Sequence, residues 1–85
     1  MSEPVFTVSP AVGTGWLVRQ GVAGEADFFA DRRLAIEHAQ ALALAARPAL
    51  VRVLRASGRV EDEWFFGPAK GVRRVGPLAP RSALG

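Results

Sequence analysis

One helix, predicted between Asp31 and Pro48, limits the fold of this chain more than any other feature of the sequence. Asp31 is a good N-cap, because its carboxylate can accept hydrogen bonds from the free amides of the first turn, and proline at position 48 cannot continue the helix. At helical spacing, one stripe of apolar residues faces away from the charged side chains; it consists of Ala35, Ile36, Ala39, Leu42, Ala43 and Ala46. A stripe made mainly of alanine lets the helix lie close to a sheet, so we expect the bulk of the core to come from the sheet.

An N-terminal hairpin is predicted before the helix. Residues 4–10 and 16–20 alternate between two faces, as strands with one buried face do, and the segment 11–15 between them is rich in turn residues. Residues 27–30 can add a short third strand before the helix. The aromatic residues that we expect to fill the core are Phe6, Trp16, Phe29 and Trp64.

A second hairpin is predicted after the helix, and its strands flank the turn signal Ser57-Gly58. A two-residue loop at these positions determines which residues lie opposite each other. The predicted cross-strand pairs are Val51 with Trp64, Arg52 with Glu63, and Leu50 with Phe65. The first pair then faces the helix, and the other two pairs face away from it. The same register puts Asp62 on the helix face opposite Val53, so Asp62 must lie at a wet margin or be shifted by a bulge.

Together these elements predict an α+β fold in the order ββ(β)αββ, with one helix packed on one face of an antiparallel sheet. We assign residues 4–67 to a single domain. From residue 68 the composition changes to Gly, Pro, Ala and Arg without a period, so we expect residues 68–85 to form a disordered tail. This tail is basic, because it contains four basic residues and no acidic one, whereas residues 1–67 contain seven arginines and eight acidic residues.

The residues of these elements resemble a family of small bacterial domains, the domain-of-unknown-function family 2188. Its pattern combines a Gly-Trp-x-Val strand, a phenylalanine before a capped alanine-rich helix, an Asp-Gly-Arg-Ile hairpin and an aromatic-Gly ending. The corresponding residues here are Gly15-Trp16-Leu17-Val18, Phe29-Ala30-Asp31, Ala35-Ile36, Ala39, Leu42-Ala43, Ser57-Gly58-Arg59-Val60 and Phe66-Gly67. Ser57 departs from the family's aspartate, and Phe66 departs from its usual tyrosine. The resemblance covers roughly residues 5–67 and implies the same fold and a bacterial origin; because the family has no established activity, it implies no catalytic residue.

The residue types in this chain do not predict a catalytic, cofactor or metal site. The chain has no cysteine and one histidine, His38, which lacks a nucleophile, an orienting group or a second metal ligand. Among the carboxylates at positions 61–63, alternation lets only Glu61 and Glu63 converge, and two carboxylates bind Ca²⁺ or Mg²⁺ poorly. The glycines do not form a phosphate-binding motif. We therefore expect no enzymatic activity, no cofactor, no metal and no small-molecule substrate.

Membrane and export segments are not predicted. No apolar run approaches the ~20 residues that cross a bilayer. The N-terminal residues Met-Ser-Glu-Pro have neither the basic region nor the apolar region of a signal peptide. We expect a cytoplasmic protein without a membrane partner.

The face of the sheet away from the helix is the predicted interaction surface. On it we expect an apolar centre with a charged rim, which is the arrangement of a modest protein interface. The candidate interface residues are Leu17, Arg19, Leu50, Arg52, Glu63 and Phe65. We expect the chain to associate with itself, as a homodimer, through this face or through a sheet edge. Two alternatives stay open: these are ordinary surface residues, or the tail covers them through Val72, Val75 and Leu78.

Nucleic-acid binding is the alternative function. Lys70, Arg73 and Arg74 in the tail would attract phosphates, and Phe65 would stack on bases. The arginines of the outer face would add contacts to the nucleic-acid backbone. Glu61 and Glu63, predicted on the same face, would repel that backbone, so self-association is the preferred hypothesis.

Overall fold

In the part of the chain that the structure describes, three strands precede one helix and three follow it. The computed structural model describes residues 3–21, 25–68 and 71–75. In chain order the elements are β1 Val5–Pro10, β2 Trp16–Gln20, β3 Asp27–Phe29, α1 Arg32–Ala45, β4 Ala49–Leu54, β5 Val60–Phe66 and β6 Val72–Arg74. The predicted α+β class, with the helix packed on the sheet, is confirmed. Asp31 is the N-cap, and its carboxylate accepts a hydrogen bond of 2.8 Å from the backbone N–H of Arg33.

The sheet is mixed, with the strand order β3-β2-β1-β4-β5-β6. Every neighbouring pair runs antiparallel except β1 and β4, which are parallel. The antiparallel sheet predicted from the sequence is therefore corrected to a mixed sheet, because the two hairpins join through a parallel pair. The helix returns the chain to the end of the sheet where β1 and β3 begin, so β4 starts in the direction of β1 and pairs with it in parallel.

The register predicted for the second hairpin is confirmed, although its turn is different. Three predicted pairs are present: Val51 with Trp64, Arg52 with Glu63, and Leu50 with Phe65. The loop has three residues rather than two: Arg55 N–H donates to Arg59 O at 2.8 Å, and Gly58 has a φ of +91°, which glycine adopts without strain. The extra loop residue shifts the pairing by one, and a bulge at Glu61 shifts it back.

The core lies between the alanine stripe of α1 and the centre of the sheet. Ala35, Ala39 and Ala43 are fully buried against the sheet. The largest side chains that are completely buried are Val8, Val18, Val51 and Val53, one from β1, one from β2 and two from β4. Alanine against valine brings the helix so close that no indole ring fits between the two layers.

The aromatic residues therefore surround this centre instead of filling it. Phe6 is buried, as predicted, and Phe66 is buried in the same cluster. Trp16, Phe29 and Trp64, which we predicted to supply the bulk of the core, are partly buried and pack against its margin.

The sixth strand lies in the segment that the sequence assigned to the tail. Val72–Arg74 pairs antiparallel with β5, so that Trp64 lies opposite Arg74 and Phe65 lies opposite Arg73. The expectation of disorder from residue 68 is therefore wrong for this strand. A three-residue strand with two arginines has little apolar pattern, and it is ordered by the residues of β5 that it contacts. Residues 69–70 and 76–85 of the predicted tail lie outside the described part of the chain.

Candidate interaction surface

One face of the sheet is left open by the described elements. We call it the outer face: it is opposite α1 and consists of the alternate strand residues that do not point toward the helix, such as Leu17, Leu50 and Phe65. All six candidate interface residues lie on it, because their strand neighbours Trp16, Val18, Val51 and Trp64 pack against the core.

A row of apolar residues crosses the outer face near the start of β1. Val5 pairs with Leu50, Leu50 with Phe65, and Phe65 with Arg73. The guanidinium carbon of Arg73 lies 5.9 Å from the centre of the Phe65 ring. An open hollow of about 260 Å³ adjoins the ring and is lined by Leu50, Glu63, Phe65, Arg73 and Val75. Phe65 is thus partly covered by Arg73, in the segment that the sequence predicts to be a tail, and its ring still borders an open apolar hollow.

A polar row runs beside the apolar one. Arg19 pairs with Thr7, Thr7 with Arg52, and Arg52 with Glu63. The predicted Arg52–Glu63 contact is present: Nε of Arg52 donates to Oε2 of Glu63 at 2.8 Å. The Glu63 side chain is only 16% exposed, and that of Arg52 is 39% exposed. This ion pair is therefore partly withdrawn from water before any partner binds.

Leu17 does not join the apolar row. It pairs with Ser9 on β1 and with Phe28 on β3, whereas Leu50 pairs with Val5. Val5 and Ser9 are four residues apart along β1, which is roughly 13 Å. The outer face thus has two apolar regions separated by the polar row, and the single apolar centre predicted from the sequence is corrected to two. Phe28, which is 60% exposed, belongs to the second region and was not predicted.

Glu61 leaves the outer face because of the bulge. Its carboxylate oxygen Oε1 lies 3.1 Å from Nη2 of Arg32 at the start of α1. Glu61 and Glu63 therefore do not converge on one face, contrary to the prediction.

Asp62 keeps its predicted place on the helix side, opposite Val53. Its side chain is only 14% exposed and is held by Arg74, whose Nε donates to Oδ1 at 2.7 Å and whose Nη2 donates to Oδ2 at 2.6 Å. The same guanidinium lies 5.8 Å from the Trp64 ring centre. Hydrogen bonding to Asp62, and then its negative charge, raise the pKa of Arg74 above its ordinary value. Sequence reasoning missed this role, although a carboxylate predicted on a covered face was a signal that a cation must reach it.

The three residues proposed for nucleic-acid contact are not gathered on one surface. Arg73 lies on the outer face over Phe65, whereas Arg74 lies on the other face and binds Asp62. Lys70 lies outside the described residues.

His38 has a structural contact. Its Nε2 lies 3.2 Å from Oδ2 of Asp27, and its ring centre lies 4.9 Å from that of Phe29, so it links α1 to β3. Within the described ranges, His, Asp and Glu side chains nowhere come together in a group of three that could hold a metal ion. The helix found there has neither the length nor the apolar surface needed to span a bilayer.

Comparisons with protein-family models, with curated proteins and with solved structures found no match for this chain. The resemblance to family 2188 therefore stays a prediction from the residues quoted above. Fold and surface together define a class: a small α+β domain in which one helix covers one face of a mixed sheet. The other face carries two apolar regions and a central ion pair.

Proposed function

We propose that this chain is a non-enzymatic self-association module whose outer face docks on the outer face of a second copy. The observation that carries the proposal is the row Val5–Leu50–Phe65, which lies on a sheet face that no described element covers. Burial of these side chains would supply most of the binding free energy, and the neighbouring charges would orient the partners. The bacterial, cytoplasmic setting expected from the sequence remains part of this proposal.

Sheet edges are the poorer route to association. Among the described strands the two at the edges, β3 and β6, have only three residues each. Short edge strands offer few free backbone groups for pairing with another chain, and charged residues on them discourage it further. Arg73 and Arg74 are such residues on β6. The outer face is therefore favoured over the edges.

A weak dimer is expected from the size of this surface. Six strands at about 4.8 Å spacing, with central strands of about six residues, give a face of roughly 25 Å by 20 Å. Such a face is at the small end of protein–protein interfaces. Dissociation on dilution is therefore part of the proposal.

Phe65→Arg is the variant that tests the proposal. We expect the wild-type chain to shift from monomer to dimer between about 10 μM and about 1 mM, and Phe65→Arg to stay monomeric, because it puts a charge in the apolar row. Sedimentation equilibrium measures both. Phe65 lies on the face away from the core, so circular dichroism should find the variant folded.

Leu44→Arg is the matched control. Leu44 is 53% exposed on α1, so the same charge is added to an exposed apolar position on the opposite side of the molecule. This variant should dimerise like the wild type. A wild-type chain that stays monomeric throughout, or equal weakening by both substitutions, would contradict the proposal.

Nucleic-acid binding by the outer face is the second candidate, and one observation favours it. The bulge removes Glu61 from this face, so in the described strands Arg19, Arg52 and Arg73 lie there against the single carboxylate of Glu63. Phe28 and Phe65 could stack on bases. The larger number of aliphatic side chains on the same face keeps self-association as the first proposal.

A further inference from the structure

Three cross-strand pairs form a line along the outer face, between β4 and β5. We call them the β4–β5 strip: Leu50–Phe65, Arg52–Glu63 and Leu54–Val60. Each pair has one member in β4 and one in β5. The strip is therefore apolar at both ends and carries one positive and one negative charge at its middle, side by side. A surface with this arrangement can complement itself.

We propose that two copies dock strip to strip about a two-fold axis that runs parallel to the strands, between β4 and β5. The inference rests on the proposed function and specifies its geometry. Rotation about this axis lays β4 over β5 of the second copy. Arg52 then faces the partner's Glu63, Glu63 faces the partner's Arg52, and Leu50 faces the partner's Phe65. The strands of the two sheets stay nearly aligned, which is a common way for two sheets to pack.

Charge selects this axis over the obvious alternative. A two-fold axis that runs across the strands, through the Arg52–Glu63 pair, would bring Arg52 onto the partner's Arg52 and Glu63 onto the partner's Glu63. Like charges brought together in a dry interface are strongly unfavourable. With the axis along the strands, the two ion pairs form one alternating network of four charges. Because Glu63 is already only 16% exposed, docking removes little further water from it.

The same axis excludes part of the predicted interface. The strand order places β1 on one side of the strip and β6 on the other, so β6 faces the partner's β1. β2 and β3 then extend beyond the contact area. Leu17 and Arg19, which lie on β2, are outside it. Leu17→Arg should therefore leave the dimer intact, in contrast to Phe65→Arg.

Two complementary charge reversals test the axis. Arg52→Glu gives a chain with two acidic residues in the strip, and Glu63→Arg gives a chain with two basic residues. Each variant alone should have a dimer dissociation constant at least about tenfold above that of the wild type. A one-to-one mixture should form a heterodimer close to wild-type affinity, because both intermolecular ion pairs are restored. Sedimentation equilibrium of one labelled variant measures the mixed species.

A double variant provides a control for misfolding of the single variants. Arg52→Glu with Glu63→Arg keeps an ion pair within each sheet, so folding should be preserved. It should form homodimers but exchange poorly with the wild-type chain, since a mixed dimer would oppose like charges. Free exchange of the double variant with the wild type would overturn the axis, and so would a mixture of folded single variants that forms no heterodimer. In either case the proposed function stands if Phe65→Arg still blocks dimerisation. A monomeric wild type would overturn both.

Discussion

Arginine side chains hold the segment 61–66 on both faces of the sheet. Each carboxylate and each aromatic ring of this segment has an arginine against it: Glu61 has Arg32, Asp62 and Trp64 have Arg74, Glu63 has Arg52, Phe65 has Arg73, and Phe66 has Arg47. A guanidinium can bind a carboxylate with its edge and cover a ring with its plane, which a lysine ammonium cannot do. This chemistry explains how so charged and aromatic a segment can lie in a sheet.

Arg74 and Arg73 are neighbours whose removal should have different effects on stability. Arg74→Ala leaves the mostly covered Asp62 carboxylate without its cation, and an uncompensated carboxylate in such a place is costly. Arg73→Ala only uncovers part of Phe65 on the open face. Thermal unfolding should therefore give a lower Tm for Arg74→Ala than for Arg73→Ala.

Asp62→Asn provides the control for this comparison. In that background the amide needs no cation, so Arg74→Ala should cost much less than in the wild type. An unchanged cost in both backgrounds would show that the ion pair contributes nothing. Because Asp62 raises the pKa of Arg74, this contribution is complete below the ordinary arginine pKa and is lost only as pH rises through the raised value. The effect of the Arg74 substitution should thus be the same throughout the neutral and mildly alkaline range.

At the scale of elements, the spacing between α1 and the sheet is set by alanine. Ala39 is fully buried against the valines of the sheet, whereas Ala41, two residues on, is exposed. Ala39→Leu forces extra methyl groups into a filled space and should cost about 1–3 kcal/mol. In a domain of this size, each kcal/mol lowers the Tm by about 4–8 °C.

Ala41→Leu is the matched control, because it makes the same substitution at an exposed position where leucine meets no filled space. Leucine and alanine are both strong helix formers, so this change should alter the free energy of unfolding by less than about 0.5 kcal/mol. Urea denaturation of the two variants gives the comparison. Equal stability of both would mean that the helix does not lie close to the sheet at Ala39.

The elements with strong local patterns could be predicted from the sequence, but the way in which the two hairpins join into one sheet could not. The Asp31 cap, the alanine stripe and the Arg52–Glu63 pair all follow from spacing within one element or one hairpin. The parallel pairing of β1 with β4 depends on how the helix returns the chain, which no local pattern records. β6 was missed because its three residues have no apolar alternation, and its stability comes from Asp62 and the rings beside it.

Two opposite errors left the hairpin register correct. The predicted loop was one residue too short, and the bulge at Glu61 was not positioned in advance. The bulge also decides where Glu61 points, so the charge on the outer face was misjudged. Alternation placed the six candidate residues on one face, whereas the position of Phe28 and the division into two apolar regions depend on strand order and needed the structure.

At the scale of the whole molecule, the distribution of charge allows the nucleic-acid alternative to be tested. Truncation after Gly67 is unsuitable, because it removes β6 and the partner of Asp62. Arg19→Glu with Arg73→Glu reverses charge on the outer face, and Arg55→Glu with Arg59→Glu makes the same change at the exposed end of the second hairpin. If the outer face binds nucleic acid, only the first pair should weaken binding to random single-stranded RNA.

Fluorescence anisotropy at several salt concentrations is the measurement. For a single strand, the logarithm of the binding constant should fall with the logarithm of salt concentration with a slope of about −0.7 per phosphate contact. A flat salt titration, or equal weakening by both double substitutions, would rule out the outer face as a nucleic-acid site.

The parallel contact between β1 and β4 at the centre of the sheet has a consequence for biosynthesis. One edge of β1 can pair with β2 as soon as that strand leaves the ribosome, but the other edge waits for β4, which comes after the entire helix. During that interval the nascent chain exposes the bare edge of β1, including the backbone beside Val8, and an unpaired strand edge of this kind promotes aggregation. The order of synthesis therefore makes this domain most vulnerable when the half that completes it has not yet been translated.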